Sequence, residues 1–202
     1  MISEKLNEDL TNVSDWMSSN KLSLNTSKTE YMIIGSHTKL KQINSDPLVV
    51  LGDFPIQRVK VTKSIGVMVD EVSTWSDHVD LITKKVNKGL NILRRLREFM
   101  DINVLITDYK TLVQPYFDYC SQVWGCRLGT TLSNKLQRMQ NRAARIITKC
   151  AGYEYRSTAL LSYLNLLNLE TRRNHQLSIL LFKLSQGLRG ESFLCYVTCA
   201  QN

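Results

Sequence analysis

The chain has 202 residues and a mass of 23.2 kDa, room for one large or two small domains with a real core. Apolar residues make up 43% and charged residues 22%, the balance of a folded chain, and three Pro with nine Gly exclude collagen-like or linker-like sequence. The formal charge is +8 and lies in the C-terminal two-thirds: residues 1–74 hold eight basic and nine acidic side chains, residues 75–202 hold 18 and nine. Ile2, Leu6, Leu10, Val13 and Met17 recur at helical intervals and predict an amphipathic helix ending near Asn20, which tolerates the left-handed conformation. Trp16 widens that stripe. Strands are expected at 21–24 and 30–34 around the turn-forming Asn25-Thr26-Ser27, and residues 36–47 read as a polar loop. Segments 48–51 and 55–61 flank Gly52-Asp53 as a hairpin. A further strand, 63–69, carries Gly66 in its middle and ends at Asp70-Glu71.

The period changes near residues 70–75, which sets a domain boundary there. Val79, Ile82, Val86, Gly89, Leu93 and Leu96 predict a helix over 76–98, with Lys84, Lys88 and Arg95 opposite its apolar stripe. Asp101 is placed to cap the next helix, whose apolar positions are Ile102, Leu105, Tyr109 and Leu112. Pro115 is expected to kink it and Gly125 to stop it. Ser133 reads as the N-cap of a helix to about Lys149 with two stripes. Leu136, Met139, Ala143, Ile146 and Cys150 form the apolar one. Lys135, Arg138, Arg142, Arg145 and Lys149 form the basic one. A last helix is expected over 169–184, closed by Gly187, and residues 191–202 show no period. The expected organisation is therefore 1–74, 75–190 and an irregular tail, 191–202.

Several chemistries are excluded by spacing. His37, His78, His175 and the five Cys never fall in paired zinc spacing; Cys195 and Cys199 have no second pair. Asp70-Glu71 alone does not make a two-metal site and reads as a solvated strand end, so no metal site is expected. There is no Gly-rich phosphate loop and no nucleophile elbow. The odd cysteine count and the charged N-terminal residues Glu4, Lys5, Glu8 and Asp9 predict an intracellular protein with reduced thiols and no signal peptide. Runs such as Ile179-Leu180-Leu181-Phe182 are too short to span a bilayer, so no membrane partner is expected. Between Asp118 and Glu154 there is no carboxylate, while Arg127, Lys135, Arg138, Arg142, Arg145 and Lys149 are all basic. Such a field suits a polyanion, nucleic acid first. Trp75, Trp124 and Tyr116 are expected in the core rather than stacked on bases.

The order of motifs resembles a known family. Leu6-Asn7-Glu8-Asp9-Leu10, Val13-x-x-Trp16-Met17 and Asn20-Lys21-Leu22-x-Leu24-Asn25-x-x-Lys28-Thr29-Glu30 resemble the palm helix and motif D of non-LTR (LINE-type, jockey-like) retrotransposon reverse transcriptases. Lys63-Ser64-Ile65-Gly66-Val67-x-Val69-Asp70 resembles their primer-grip element. Trp75-x-x-His78 opens a thumb-like helix. Tyr109-x-x-Leu112-Val113-x-Pro115, Val123-Trp124-Gly125, Leu136-Gln137-x-x-Gln140-Asn141 and Leu166-x-x-Leu169-Glu170-x-Arg172-Arg173 continue the match to about residue 190.

The resemblance implies an α+β fold: a partial polymerase palm of one helix and short antiparallel strands, then an all-helical thumb-like region. It implies a C-terminal reverse-transcriptase fragment with an RNA or DNA duplex as partner. Lys28 matches the lysine proposed to protonate departing pyrophosphate. Lys63 and Gly66 match the primer grip. Lys84, Lys88, Arg95, Lys135, Arg138, Arg142, Arg145 and Lys149 match the helices facing the duplex. In the intact family Mg²⁺ is held by carboxylates in upstream motifs that this sequence lacks. The chain is therefore expected to carry no cofactor, to be inactive alone without the upstream polymerase half, and to retain non-specific nucleic-acid binding. A domesticated helical module for nucleic acid or a protein partner, and a pseudogene product without function, are the alternatives.

Overall fold

The structure is a computed structural model describing residues 2–43, 45–52, 54–150 and 155–186. Asp53, the Gly187 stop, Cys195, Cys199 and the tail 191–202 lie outside the described residues. The fold mixes helices with short strands and divides into two compact units, Met1–Trp75 and Ser76–Asn202. Among the described residues no helix is long and apolar enough to cross a membrane.

In the first unit, α1 (Ile2–Ser19) follows the predicted stripe, yet Val13 and Trp16 remain 50% and 63% exposed. The expected strand at 21–24 does not form, because the helix closes on itself. Lys21, at φ +58°, takes the left-handed position expected of Asn20; its N–H donates to Ser18 O, and Leu22 N–H donates back to Met17 O at 2.9 Å. Those paired bonds are a Schellman closure, which turns the chain away from an extended path. A one-turn 3-10 helix (Thr26–Lys28) follows. The strand expected over 30–34 is reduced to β1 (Glu30–Tyr31). The supposed loop contains α2 (His37–Lys41), whose N-cap Ser36 accepts from Lys39 N–H.

The expected hairpin arms survive as β2 (Val50–Leu51) and β3 (Phe54–Pro55), paired antiparallel. β4 (Gln57–Arg58) pairs in parallel with β1. Asn7 fastens α1 beside β2: its amide donates to Leu48 O and accepts from Val50 N–H, each at 3.1 Å. The single strand expected over 63–69 is instead a hairpin, β5 (Val61–Ser64) with β6 (Val67–Asp70). Ile65 and Gly66 form its two-residue turn at φ +45° and +82°, the sign that a type I′ turn requires at both positions. Gly66 is thus a turn residue and not the middle of a strand. The reading of Asp70 as a solvated strand end is also corrected. Asp70 is buried and accepts from the N–H groups of Val72, Thr74 and Trp75. Burial raises its carboxyl, and these bonds outweigh burial, so it is held below its ordinary value.

The second unit is helical: α3 (Ser76–Leu96), α4 (Ile102–Leu112), α5 (Gln114–Asp118), α6 (Ser121–Trp124), α7 (Thr130–Ile147), α8 (Ser157–Tyr163) and α9 (Leu169–Ser185). Its core is built from Val79, Val86, Leu90 and Leu93 of α3, Leu105 and Tyr109 of α4, Phe117, Trp124, and Leu136, Ala143 and Ile147 of α7. Asp101 is the N-cap of α4, without a side-chain bond. Pro115 does not kink one helix. It sits in the first turn of the separate α5, where its missing N–H breaks no bond. Gly125 caps α6. The N-cap of α7 is Gly129, four residues before Ser133, which lies inside the helix. Trp75 and Trp124 are buried as expected; Tyr116 is 37% exposed, with Lys85 Nζ 5.4 Å from its ring centroid.

Two of the recurrent motifs have packing roles. Buried Gln140 donates to Leu167 O at 2.9 Å and to Tyr109 Oη at 3.3 Å. Gln137 donates to the side chains of Gln140 and Asn141 and accepts from Leu169 N–H at 3.0 Å. The Gln-x-x-Gln-Asn run thereby holds the α8–α9 connection against α7. Arg172 clamps Asp118 through two bonds of 2.6 and 2.7 Å, and Ser121 Oγ donates to Gln176 Oε1 at 2.6 Å, docking α9 on α5 and α6.

Candidate nucleic-acid interface

Neither α7 nor the stretch 81–96 of α3 contains an Asp or Glu, and the two helices pack against each other. Near their starts, Lys135 Nζ bonds Asp80 Oδ1 at 2.5 Å. Past their ends, Lys149 acts on Glu98, whose carboxyl is held low first by the hydrogen bond from Arg97 and further by Lys149. α3 and α7 therefore run parallel, start beside start. The contact Lys135–Asp80 is solvent-exposed and contributes little energy, but it fixes which faces adjoin. Asp80, Lys84, Lys88 and Arg95 follow one helical stripe of α3. Lys135, Arg138, Arg142, Arg145 and Lys149 follow one stripe of α7.

The other flank of α7 is fixed as well. Arg145 Nη2 donates to Ser157 Oγ of α8 at 3.0 Å. The exposed side of α7 thus lies between α3 and α8, and it carries Arg138 and Arg142. Lys84, Lys88, Arg95 and Lys149 are exposed too, whereas Lys135 and Arg145 are partly covered by the partners just named. Lys85 and Arg94, exposed on α3, were not singled out by sequence reasoning. Asp80, which faces Lys135, is an acidic neighbour that inspection of α7 alone does not reveal.

The remaining site candidates belong to the first unit. Lys28 is exposed at the end of its 3-10 turn. Lys63 is exposed on β5, next to the Ile65-Gly66 tip, where Ile65 is 86% exposed. Arg58, unremarked in the sequence, is paired with two carboxylates. It bonds Asp46 and, at 3.1 Å, Glu71, and its guanidinium is held above its ordinary value by the Asp46 bond first. Among the described residues no three His, Cys, Asp or Glu side chains converge to hold a metal ion.

Comparison with known proteins adds the kinship. The probable RNA-directed DNA polymerase from transposon X-element of Drosophila melanogaster is 28% identical over 149 residues, covering 72% of this chain and 16% of that protein. The probable RNA-directed DNA polymerase from transposon BS of the same fly is 30% identical over 173 residues, covering 82% of this chain and 18% of that protein. The chain thus spans less than a fifth of either relative's length. No protein-family model and no solved structure matches it significantly. The chain is therefore a relative of the reverse transcriptases of non-LTR transposons, matching a part of their length, as its motifs imply.

Proposed function

We propose that this chain binds nucleic-acid backbone through the joint face of α3 and α7, the duplex-holding role of a thumb-like region in a reverse transcriptase. The observation that carries the reading is the parallel packing of the two helices. Lys84, Lys88 and Arg95 then run alongside Arg138, Arg142 and Lys149, and the described carboxylates that meet these stripes, Asp80 and Glu98, stand at the two ends of the seam. Cations spaced along two adjoining ridges neutralise phosphates and release counterions without reading bases. The β5–β6 hairpin, with Lys63 beside an exposed turn, serves as the primer-grip-like element. Lys28 takes the motif-D role only when joined to a polymerase centre. The proposal for the chain alone is binding, not nucleotide addition.

Fluorescence anisotropy of an RNA–DNA duplex titrated with the protein at several salt concentrations tests this. If about four to six phosphates are neutralised, the log–log slope against salt is about −3.5 to −5.5. Replacing Arg138, Arg142 and Lys149 together by Gln should flatten it. A slope near zero, or one unchanged in the triple variant, would favour a protein partner for this face.

A further inference from the structure

Arg172 and Arg173 are neighbours with different surroundings. Arg172 is clamped by Asp118. Arg173 has no carboxylate within ion-pair distance among the described residues. Its one described side-chain hydrogen bond runs from Nη2 to Ser133 Oγ at 2.8 Å. Its stem lies flat on Gly125: a Cβ there would stand 2.5 Å from Arg173 Cδ. The Trp-Gly and Arg-Arg motifs therefore meet, and the glycine makes room for the arginine. Burial lowers the guanidinium's pKa, with Glu170 opposing that shift. Half-burying a cation without a carboxylate partner is costly, so its setting needs a reason.

That setting is a polar cleft of about 240 Å³. Thr130, Ser133, Asn134 and Asn174 supply hydroxyls and amides, and among the described residues Arg173 and Glu170 supply the charges. Glu170 is exposed in the first turn of α9, where a carboxylate answers that helix's macrodipole. Arg173 has no such local role. A second cleft of about 250 Å³ shares Ser133, Asn134 and Glu170 and extends to Asn141 and Ser157. Asn134 and Asn141 alternate along α7 with Arg138 and Arg145, so the clefts border the basic stripe.

We propose that the cleft over Arg173 is a phosphate-binding subsite, with the Arg173 guanidinium and the Thr130 and Asn174 side chains as donors to the phosphate oxygens. It deepens the nucleic-acid reading by naming the group that is held, and it is read out separately from duplex binding. A planar guanidinium presenting paired N–H groups matches phosphate geometry better than a point charge does. A cleft, unlike the open face of α3 and α7, surrounds one phosphate group, whether at a strand end or within a strand.

The test is titration of the ¹⁵N-labelled full chain with inorganic phosphate, following the Arg173 Nε–Hε resonance. A saturable shift is expected there and at the backbone amide of Gly125, against which the Arg173 side chain packs; in Arg173→Gln the Gly125 shift should be lost. Glu170→Gln, which removes a like charge from the rim, should tighten phosphate binding about threefold, and Asn174→Asp should weaken it about as much. Both are exposed positions, so these two variants keep the question open to refutation if Arg173→Gln unfolds. No saturable shift, or rim variants without opposite effects, overturns the proposal. A short 5′-phosphorylated single strand that binds better than its unphosphorylated twin assigns the subsite to strand ends. Equal binding of both, weakened alike by Asn174→Asp, assigns it to internal phosphates. These outcomes do not depend on whether the duplex salt slope responds to Arg138, Arg142 and Lys149, so the two readings fail separately.

Discussion

A methyl group on Gly89 would stand 2.8 Å from Val113 Cγ2 and 3.0 Å from the Leu112 carbonyl oxygen. α3 thus meets the end of α4 at a position with no side chain, and the carbonyl belongs to backbone that cannot swing aside. Two effects compete in Gly89→Ala. Helix propensity favours alanine by about 1 kcal/mol, while overpacking costs about 1–3 kcal/mol. Overpacking should win, and the urea midpoint should fall. A midpoint that rises would mean that the two helices slide apart freely.

His78 predicts a pH response. It is buried in α3, with its ring in edge contact with Trp124 at 5.3 Å between centroids. Burial first, and Lys85 second, lower its pKa from 6.5. A base with a depressed folded pKa takes up protons more readily when unfolded. Its neutral form therefore supports the fold fully above pH 6.5, and that support is lost as pH falls below 6.5 towards the folded value. Urea melts from pH 7.5 to 5 should show stability dropping on the acid side. The drop should shrink in His78→Phe, which keeps a ring but cannot titrate. An identical pH profile in the variant would remove His78 from the explanation.

The long helices were legible because their side chains repeat. Val79, Ile82, Val86 and Leu93 share one face of α3 and all are buried. The short strands were less legible, because two-residue pairings such as Glu30–Tyr31 with Gln57–Arg58 are set by distant partners. Ile65-Gly66 hid a turn: a β-branched residue is a poor signal for φ +45°, so one strand was read where two exist. α8 was missed because seven residues, Ser157–Tyr163, are too few to establish a period. For the site, the α7 stripe could be read from its spacing. The contacts of Lys135 with Asp80 and Arg145 with Ser157 could not, since they join residues 55 and 12 positions apart.

Ile65 also makes a prediction about strain. A β-branched side chain in the left-handed region is disfavoured by about 1–3 kcal/mol, and at 86% exposure Ile65 has little burial to offset it. Ile65→Asn, the residue type preferred at the first position of a type I′ turn, should stabilise the β5–β6 hairpin. Slower amide hydrogen exchange at Thr62 and Val69 would register the gain. If exchange quickens instead, the isoleucine side chain supports the tip more than the turn strains it.

Gln140 tests whether the Gln-x-x-Gln-Asn run is structural. Its amide joins Tyr109, on α4, to Leu167, in the α8–α9 connection. Burial pushes the Tyr109 phenol up to about 12, so it remains protonated across the ordinary range. Gln140→Leu fills the space but leaves Leu167 O and Gln137 without their bonds, at a cost of about 1–3 kcal/mol. Gln137→Leu should cost less when made on top of it than alone, because both act in one network. A double-mutant cycle with additive losses would show that the two glutamines act independently.

The two units should differ as separate fragments. Among the described residues of 1–75 the buried apolar side chains are Val49, Leu51, Val67 and Trp75, while Leu6, Val13, Trp16, Ile34 and Phe54 stay exposed. The sheets there have two strands each, an arrangement of marginal stability without further covering. The helices of residues 76–186 bury their stripes on one another, from Val79 of α3 to Leu169 of α9. A fragment of residues 76–186 should therefore melt sharply and remain monomeric, while residues 1–75 should melt broadly or associate through their uncovered apolar faces. Circular dichroism melts with sedimentation of each fragment decide this. A monomeric, sharply melting 1–75 fragment would mean that this unit is complete as it stands, and that the exposed stripe of α1 has no missing neighbour to cover it.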